Sequence, residues 1–314
     1  MGTVAEIQAY HPDREAAESA IRAALDEMQR VEGLLSNYSP DSELSRMNKT
    51  AARAPFAASG EMFDFVKRCR AFFDLTLGTF DPTVGPLVRA WGFHGGRPAP
   101  PSAEDAAAAK ARSGFDKVRL DEAARTVSYT VEGVELDPGG IGKGYAADRA
   151  SAVLRRSGIT SALVSAGGST LYAMGRPPGR EGWRVGIRDP AAPGAFLRFV
   201  TLRDQALSTS GVTEKYAMAG GRRYGHIIDP RTGEPGEAVC QVTLVTADAT
   251  DSDALTKAAF LLPRETLVEL FGKTADVHVF RVEGPCGDGS ETWTTPWSRG
   301  VFHDAAGMKQ PERN

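Results

Sequence analysis

The chain has 314 residues, 41% of them hydrophobic and 25% charged, with a formal net charge of −3 at pH 7. That is the balance of an ordinary globular chain with ample length for a core. It offers no basic footprint for nucleic acid, and no run of about 18 apolar residues predicts a membrane-spanning helix. Cys69, Cys240 and Cys286 are odd in number, widely spaced and free of any C-x-x-C pair, so a zinc site or redox pair is not expected. Cys69 and Cys240 lie in apolar-patterned segments and read as buried free thiols. Cys286 falls in a Gly-rich loop, where exposure is expected.

In chain order, residues 3–10 alternate as a strand does. His11-Pro12-Asp13 then caps a helix whose stripe is Ile21, Leu25, Met28 and Leu35. Residues 35–48 are polar and turn-rich, yet hold the aromatic Tyr38, which either anchors the loop or stacks on a ligand. A second helix is predicted over about 61–73. Residues 78–87 are too rich in Gly and Pro for regular structure. Ser102 and Asp105 start an Ala-rich helix to about Arg112. Strands are predicted at 117–120, 126–131, 134–137, 162–166, 183–187, 196–202 and 242–246. Helices cluster early and strands dominate later, which predicts an α+β fold with a large, mostly antiparallel sheet and flanking helices.

The segment Asp137-Pro138-Gly139-Gly140-Ile141-Gly142-Lys143-Gly144 places four glycines between a predicted strand and a helix that begins near Tyr145. Backbone N–H groups and the helix dipole favour an anion at such a point, and Lys143 adds a mobile charge. The glycine order fits neither a dinucleotide fingerprint nor a Walker A loop. Further on, residues 206–211 end a strand in hydroxyls, and His226 has the richest polar surroundings of the five histidines. Asp229-Pro230-Arg231-Thr232-Gly233 reads first as a turn. Asp248, Asp251 and Asp253 open a helix, where carboxylates serve as caps or gather a hard cation. The segment from about 284 looks peripheral.

Taken together, these blocks resemble the ApbE family, the FAD:protein FMN transferases, over nearly the whole chain. The resemblance rests on Met1-Gly2-Thr3, on Ser36-Asn37-Tyr38 with Ser42-Glu43-Leu44-Ser45-Arg46-Met47-Asn48, and on Thr79-Phe80-Asp81-Pro82-Thr83-Val84-Gly85-Pro86-Leu87. It continues through the glycine segment, Thr209-Ser210-Gly211, His226-Ile227-Ile228-Asp229-Pro230-Arg231-Thr232-Gly233 and Asp253-Ala254-Leu255.

The resemblance implies one domain over 1–314, with two lobes around an FAD cleft. The implied activity is Mg²⁺-dependent transfer of FMN from FAD to a Ser or Thr hydroxyl of a target flavoprotein, with release of AMP. A metal-dependent FAD pyrophosphatase, yielding FMN and AMP, and a non-catalytic FAD-binding protein are the alternatives. Implied acceptors include subunits of membrane redox pumps. The implied location is the exported, periplasmic side of a bacterial inner membrane, with any leader outside this chain. Met1, Tyr38, Thr79, Phe80, Asp81, Tyr145 and Ile227 are expected to contact FAD, and Gly139, Gly140 and Lys143 to meet its phosphates. The Gly142 carbonyl and Asp253 are expected to hold Mg²⁺, and His226 to accept the proton of the attacking hydroxyl. One departure bears on the metal: four residues after Asp253, where the family usually has Thr, stands Lys257, on the same helical face. Gly142 replaces the usual Ala, and Pro138 removes one loop N–H.

Overall fold

The computed structural model describes residues 3–213, 215–273 and 276–305. Its centre is a seven-stranded sheet. The strands are β1 (Ala5–Tyr10), β2 (Ser161–Ala166), β3 (Thr170–Met174), β4 (Gln205–Gly211), β5 (Val239–Thr246), β6 (His278–Glu283) and β7 (Glu291–Thr294). Each pairs antiparallel with the next, so order in the sheet follows order in the chain.

The sheet is covered on both faces. On one lie α1 (Arg14–Leu35), α6 (Gly142–Arg156) and α7 (Ala249–Leu261). The α1 stripe Ala20, Ala24, Met28, Val31 and Leu35 is buried there with Ala146, Ala150 and Leu154 of α6, as a helical period of 3.6 dictates. The other face carries a second, three-stranded sheet containing Trp183–Arg188 and Phe196–Leu202. Trp183, Ile187, Val200 and Leu202 from it pack on Leu207, Val245 and Phe280 of the main sheet. This double covering explains why every residue of β5 is buried and why its sequence runs apolar with little alternation.

The remaining helices are α2 (Glu43–Thr50), α3 (Gly60–Leu75), α4 (Gly85–Ala90) and α5 (Ala103–Ala111), while α8 (Arg264–Phe271) follows α7. A small sheet of Phe56–Ala57, Thr126–Tyr129 and Val118–Asp121 packs with them.

Four expectations are corrected. Residues 43–48, read as part of a turn-rich stretch, belong to α2, because Ser42 caps the Ser45 N–H and Leu44 and Met47 are buried. The Gly/Pro-rich stretch becomes a 3-10 turn at Pro82–Val84 followed by α4, with Pro at tolerated first-turn positions. Residues 134–137 are extended but join no ladder. The Asn48 side chain meets their backbone instead: its Nδ2 donates to the Leu136 carbonyl (2.9 Å) and its Oδ1 accepts from the Leu136 N–H (3.0 Å). Finally, Cys240 is not a free thiol. It is bonded to Cys286 across 46 residues, and only Cys69 is free and buried among the described residues. The segment after 284 is therefore less peripheral than expected. It supplies β7, and Trp297 donates from Nε1 to the Val277 carbonyl.

Candidate functional site

The glycine turn is held from within. Asp137 Oδ1 accepts the Gly139 N–H at 2.7 Å, and Asn37 Nδ2 donates to Asp137 Oδ2 at 3.0 Å. Pro138–Gly140 forms one 3-10 turn, and α6 begins at Gly142 with no side-chain cap at Ile141. Its N-terminal N–H groups thus look for acceptors elsewhere. The Gly144 N–H finds one 109 residues away, at Asp253 Oδ2 (3.1 Å). That bond exists because α6 and α7 touch at Gly144, where a Cβ would stand 2.0 Å from the Ala249 carbonyl oxygen. The exchange is mutual. Asp148 of α6 accepts the Ala249 and Thr250 N–H groups at the start of α7, each at 2.8 Å. Each helix therefore lends a carboxylate to the other's positive end.

Asp253 is 2% exposed and faces two ammonium groups. Lys257 Nζ lies 3.0 Å from its Oδ1, and Lys143 Nζ lies 3.7 Å from the same oxygen. Burial by itself would raise the Asp253 pKa, but Lys143, Lys257 and the Gly144 N–H together outweigh it and hold the carboxyl below its usual range. For Lys257 burial dominates and lowers its pKa against the pull of Asp253. Lys257 Nζ also donates to the Asp253 carbonyl (2.9 Å) and to Thr256 Oγ1 (3.0 Å).

His226 lies across the cleft at the end of the strand Arg222–Gly225. Its Nδ1 is 3.1 Å from the Lys215 carbonyl, an acceptor, so Nδ1 carries the proton and Nε2 keeps its lone pair. Burial, aided by the nearby charges of Lys257, Lys215 and Lys143, pushes its pKa down to about 4 against the Lys215 carbonyl bond. The imidazole is therefore neutral near pH 7. Ser210 and Thr209 of β4 also line the cleft: Ser210 Oγ donates to Thr256 Oγ1, and Thr209 and Thr243 share a bond.

These groups open on a cleft of about 380 Å³, within the range of small-molecule sites. Of the expected contacts, Tyr38, Thr79, Phe80, Asp81, Gly139, Gly140, Gly142, Lys143, His226, Ile227 and Lys257 line it. Tyr38 is no core anchor: it is 62% exposed and stacks on His94 with ring centroids 4.2 Å apart. Thr79 and Asp81 are buried braces. Asp81 Oδ1 accepts the Thr83 N–H and hydroxyl, and its Oδ2 accepts the Phe115 N–H. Asp229 accepts the Arg231 N–H and pairs with its guanidinium, as a turn residue. Asp253 sits behind the lining, reached through its two lysines. Tyr145 departs from expectation. It does not line the cleft, its hydroxyl donates to Glu61 (2.9 Å) and its ring packs edge-on against Phe65. Met1 lies outside the described residues. Sequence reasoning missed His94, Ser169 and Lys215 as lining residues; each sits in a loop, where no periodicity marks a direction.

The residues around Asp253 do not fit a magnesium ion as they stand. Mg²⁺ requires oxygens at about 2.0–2.1 Å in octahedral order. Here the Asp253 Oδ1, Asp253 carbonyl and Thr256 Oγ1 oxygens already surround the Lys257 ammonium. Two ammonium groups around one carboxylate leave the spot positive before any ligand arrives. The metal role expected of Gly142 and Asp253 therefore meets a competing cation, the Lys257 ammonium, at hydrogen-bond distance from Asp253.

Comparison with known proteins gives a consistent picture. The model of the ApbE family matches residues 1–280. An FAD:protein FMN transferase of Treponema pallidum is 34% identical over 284 residues, covering 84% of this chain and 77% of that protein. One of Salmonella typhimurium is 30% identical, covering 94% and 85%. Among solved structures, the ApbE protein of Thermotoga maritima superposes with a TM-score of 0.80 at 32% identity, covering 94% of this chain and 93% of that one. The flavin transferase ApbE of Vibrio cholerae gives 0.81 at 28% identity, covering 95% of each.

Proposed function

Because the chain belongs to the ApbE family, we propose that it is an FAD:protein FMN transferase, acting on a Ser or Thr hydroxyl of an acceptor flavoprotein. The observation that carries this reading at the site is the pairing, across one cleft, of a neutral histidine with a glycine turn and two lysines. The reaction needs both halves. The acceptor oxygen attacks the FMN-side phosphorus of the pyrophosphate. The bond from that phosphorus to the bridging oxygen breaks, and AMP departs with that oxygen. The hydroxyl proton goes to His226 Nε2 and then to the AMP phosphate or water. Such proton transfer contributes roughly 10²–10⁴-fold in rate. Negative charge that builds on the phosphate oxygens meets Lys143 and the N-terminus of α6.

Residues 1–314 are read as one catalytic unit, with subunits of membrane redox pumps as acceptors. We also place the protein on the exported side of a bacterial inner membrane. The Cys240–Cys286 bond supports that location, since disulfides persist in oxidising compartments. Among the described residues no helix is long and apolar enough to cross a membrane.

The test is incubation with FAD and an acceptor flavoprotein, followed by denaturing electrophoresis. A fluorescent acceptor band with one AMP per flavin attached is expected. Free FMN and AMP with no labelled acceptor would mean hydrolysis, and intact FAD would mean binding alone; either outcome overturns the proposal.

A further inference from the structure

We infer that Lys257 is a tethered cation. Its ammonium holds the place a divalent ion would take beside Asp253, and the cleft receives the pyrophosphate without a metal. The inference rests on the proposed function for the identity of the ligand.

Three observations carry it. First, the ammonium is saturated. Its three N–H donors face three oxygens, the Asp253 carbonyl at 2.9 Å, Asp253 Oδ1 at 3.0 Å and Thr256 Oγ1 at 3.0 Å. A lysine merely passing near a carboxylate has no reason to collect a carbonyl and a hydroxyl as well. Second, the glycine turn packs against the stem. A Cβ on Gly140 would stand 3.2 Å from Lys257 Cε and 3.5 Å from Phe80 Cε2. The lysine stem therefore runs directly beneath the glycine turn. Third, the charges suit an anion. Asp253 cancels one of its two lysines, and the second, Lys143, stands at 3.7 Å, beyond hydrogen-bond reach of Asp253. Lys143 is thus free to donate to a phosphate while Lys257 stays fixed and acts through its field. Lys257 is on this account a positioning and charge-balancing residue, not one that handles the reacting atoms.

The helices explain how the seat is made. Lys257 follows Asp253 by one helical turn, so one element presents both charges to the same point. The close contact at Gly144 then brings the N-terminus of α6 to the other oxygen of that carboxylate.

The test uses the wild-type protein and the Lys257→Thr variant, both free of FAD and acceptor. Mn²⁺ binding is followed by the loss of the free-ion signal in electron paramagnetic resonance. K257T removes the ammonium and opens the seat, and circular dichroism checks that it is folded. The expected result is that K257T binds Mn²⁺ at least about tenfold more tightly than the wild type, a difference of ~1.4 kcal/mol. In a second arm, FAD binding is read by quenching of flavin fluorescence in EDTA and in Mg²⁺. The wild type is expected to show the same affinity in both, and K257T to need the ion. Equal Mn²⁺ affinity in both proteins, no Mn²⁺ binding by either, or loss of FAD from the wild type in EDTA overturns the inference. The wild-type arms decide the matter even if K257T does not fold. Because the Mn²⁺ measurement involves neither transfer nor acceptor, its outcome is separate from that of the transfer assay.

Discussion

Lowering the pH tests whether His226 is the base and whether its surroundings hold it neutral. An ordinary histidine titrates near 6.5, whereas burial and three neighbouring lysines push this one down to about 4. At pH 5 a pKa of about 4 leaves roughly nine-tenths of the protein with a neutral imidazole, against about 3% for an unshifted one. The two cases thus differ by about thirtyfold in the competent form. The assay is kcat/KM for flavin transfer to an acceptor between pH 3.5 and 8, since that ratio reports the free enzyme. Its acid limb is expected near pH 4, with activity almost flat from pH 5 to 7. In kcat the limb should move upward, because a bound pyrophosphate brings negative charge that favours the imidazolium. A limb centred near 6.5, or one that persists unchanged in His226→Gln, would refute the reasoning.

His226→Ala is expected to lower kcat for transfer by roughly 10²–10⁴-fold while FAD affinity changes little; calorimetric titration with FAD checks the second half, and a large affinity loss with turnover intact sinks the assignment. Gly144→Ala drives a methyl into the Ala249 carbonyl, so α6 and α7 must part. A loss of about 1–3 kcal/mol, read as a fall in Tm, is expected, and an unchanged Tm would mean the two helices are not packed as described. Reducing the Cys240–Cys286 bond frees a loop of 46 residues, worth about 4 kcal/mol by chain entropy and typically 2–4 in practice. Thermal melts with and without reductant read the difference, and identical melts would show that the bond does not form.

Local pattern made much of this fold legible. The 3.6-residue stripe of α1 and the capping residues Asp13 and Ser102 announced helices that the structure places within a residue or two. Alternation marked the strands Ala5–Tyr10, Trp183–Arg188 and Phe196–Leu202, whereas Thr170–Met174, His278–Glu283 and Glu291–Thr294 carried no such mark. The failures share a cause. The extended run 134–137 looks like a strand, but its backbone is satisfied by Asn48, 88 residues earlier. Cys240 sits in an apolar run like a core thiol, and its partner 46 residues on gave no local sign. Tyr145 follows the glycine turn directly, yet helical rotation turns its hydroxyl to Glu61 rather than to the cleft.

The site divides the same way. By itself the sequence determined which residue types were available: a glycine turn before a helix, a histidine among polar neighbours, and an aspartate with a lysine one turn behind it. Those follow from short-range geometry, which spacing fixes. Only the tertiary structure decided what Lys257 does. Its role depends on where the ammonium sits relative to Thr256, the Asp253 carbonyl and the underside of Gly140. The meeting of α6 and α7 that brings Gly140 and Lys143 to that point joins segments more than a hundred residues apart, and no local rule of the chain contains it.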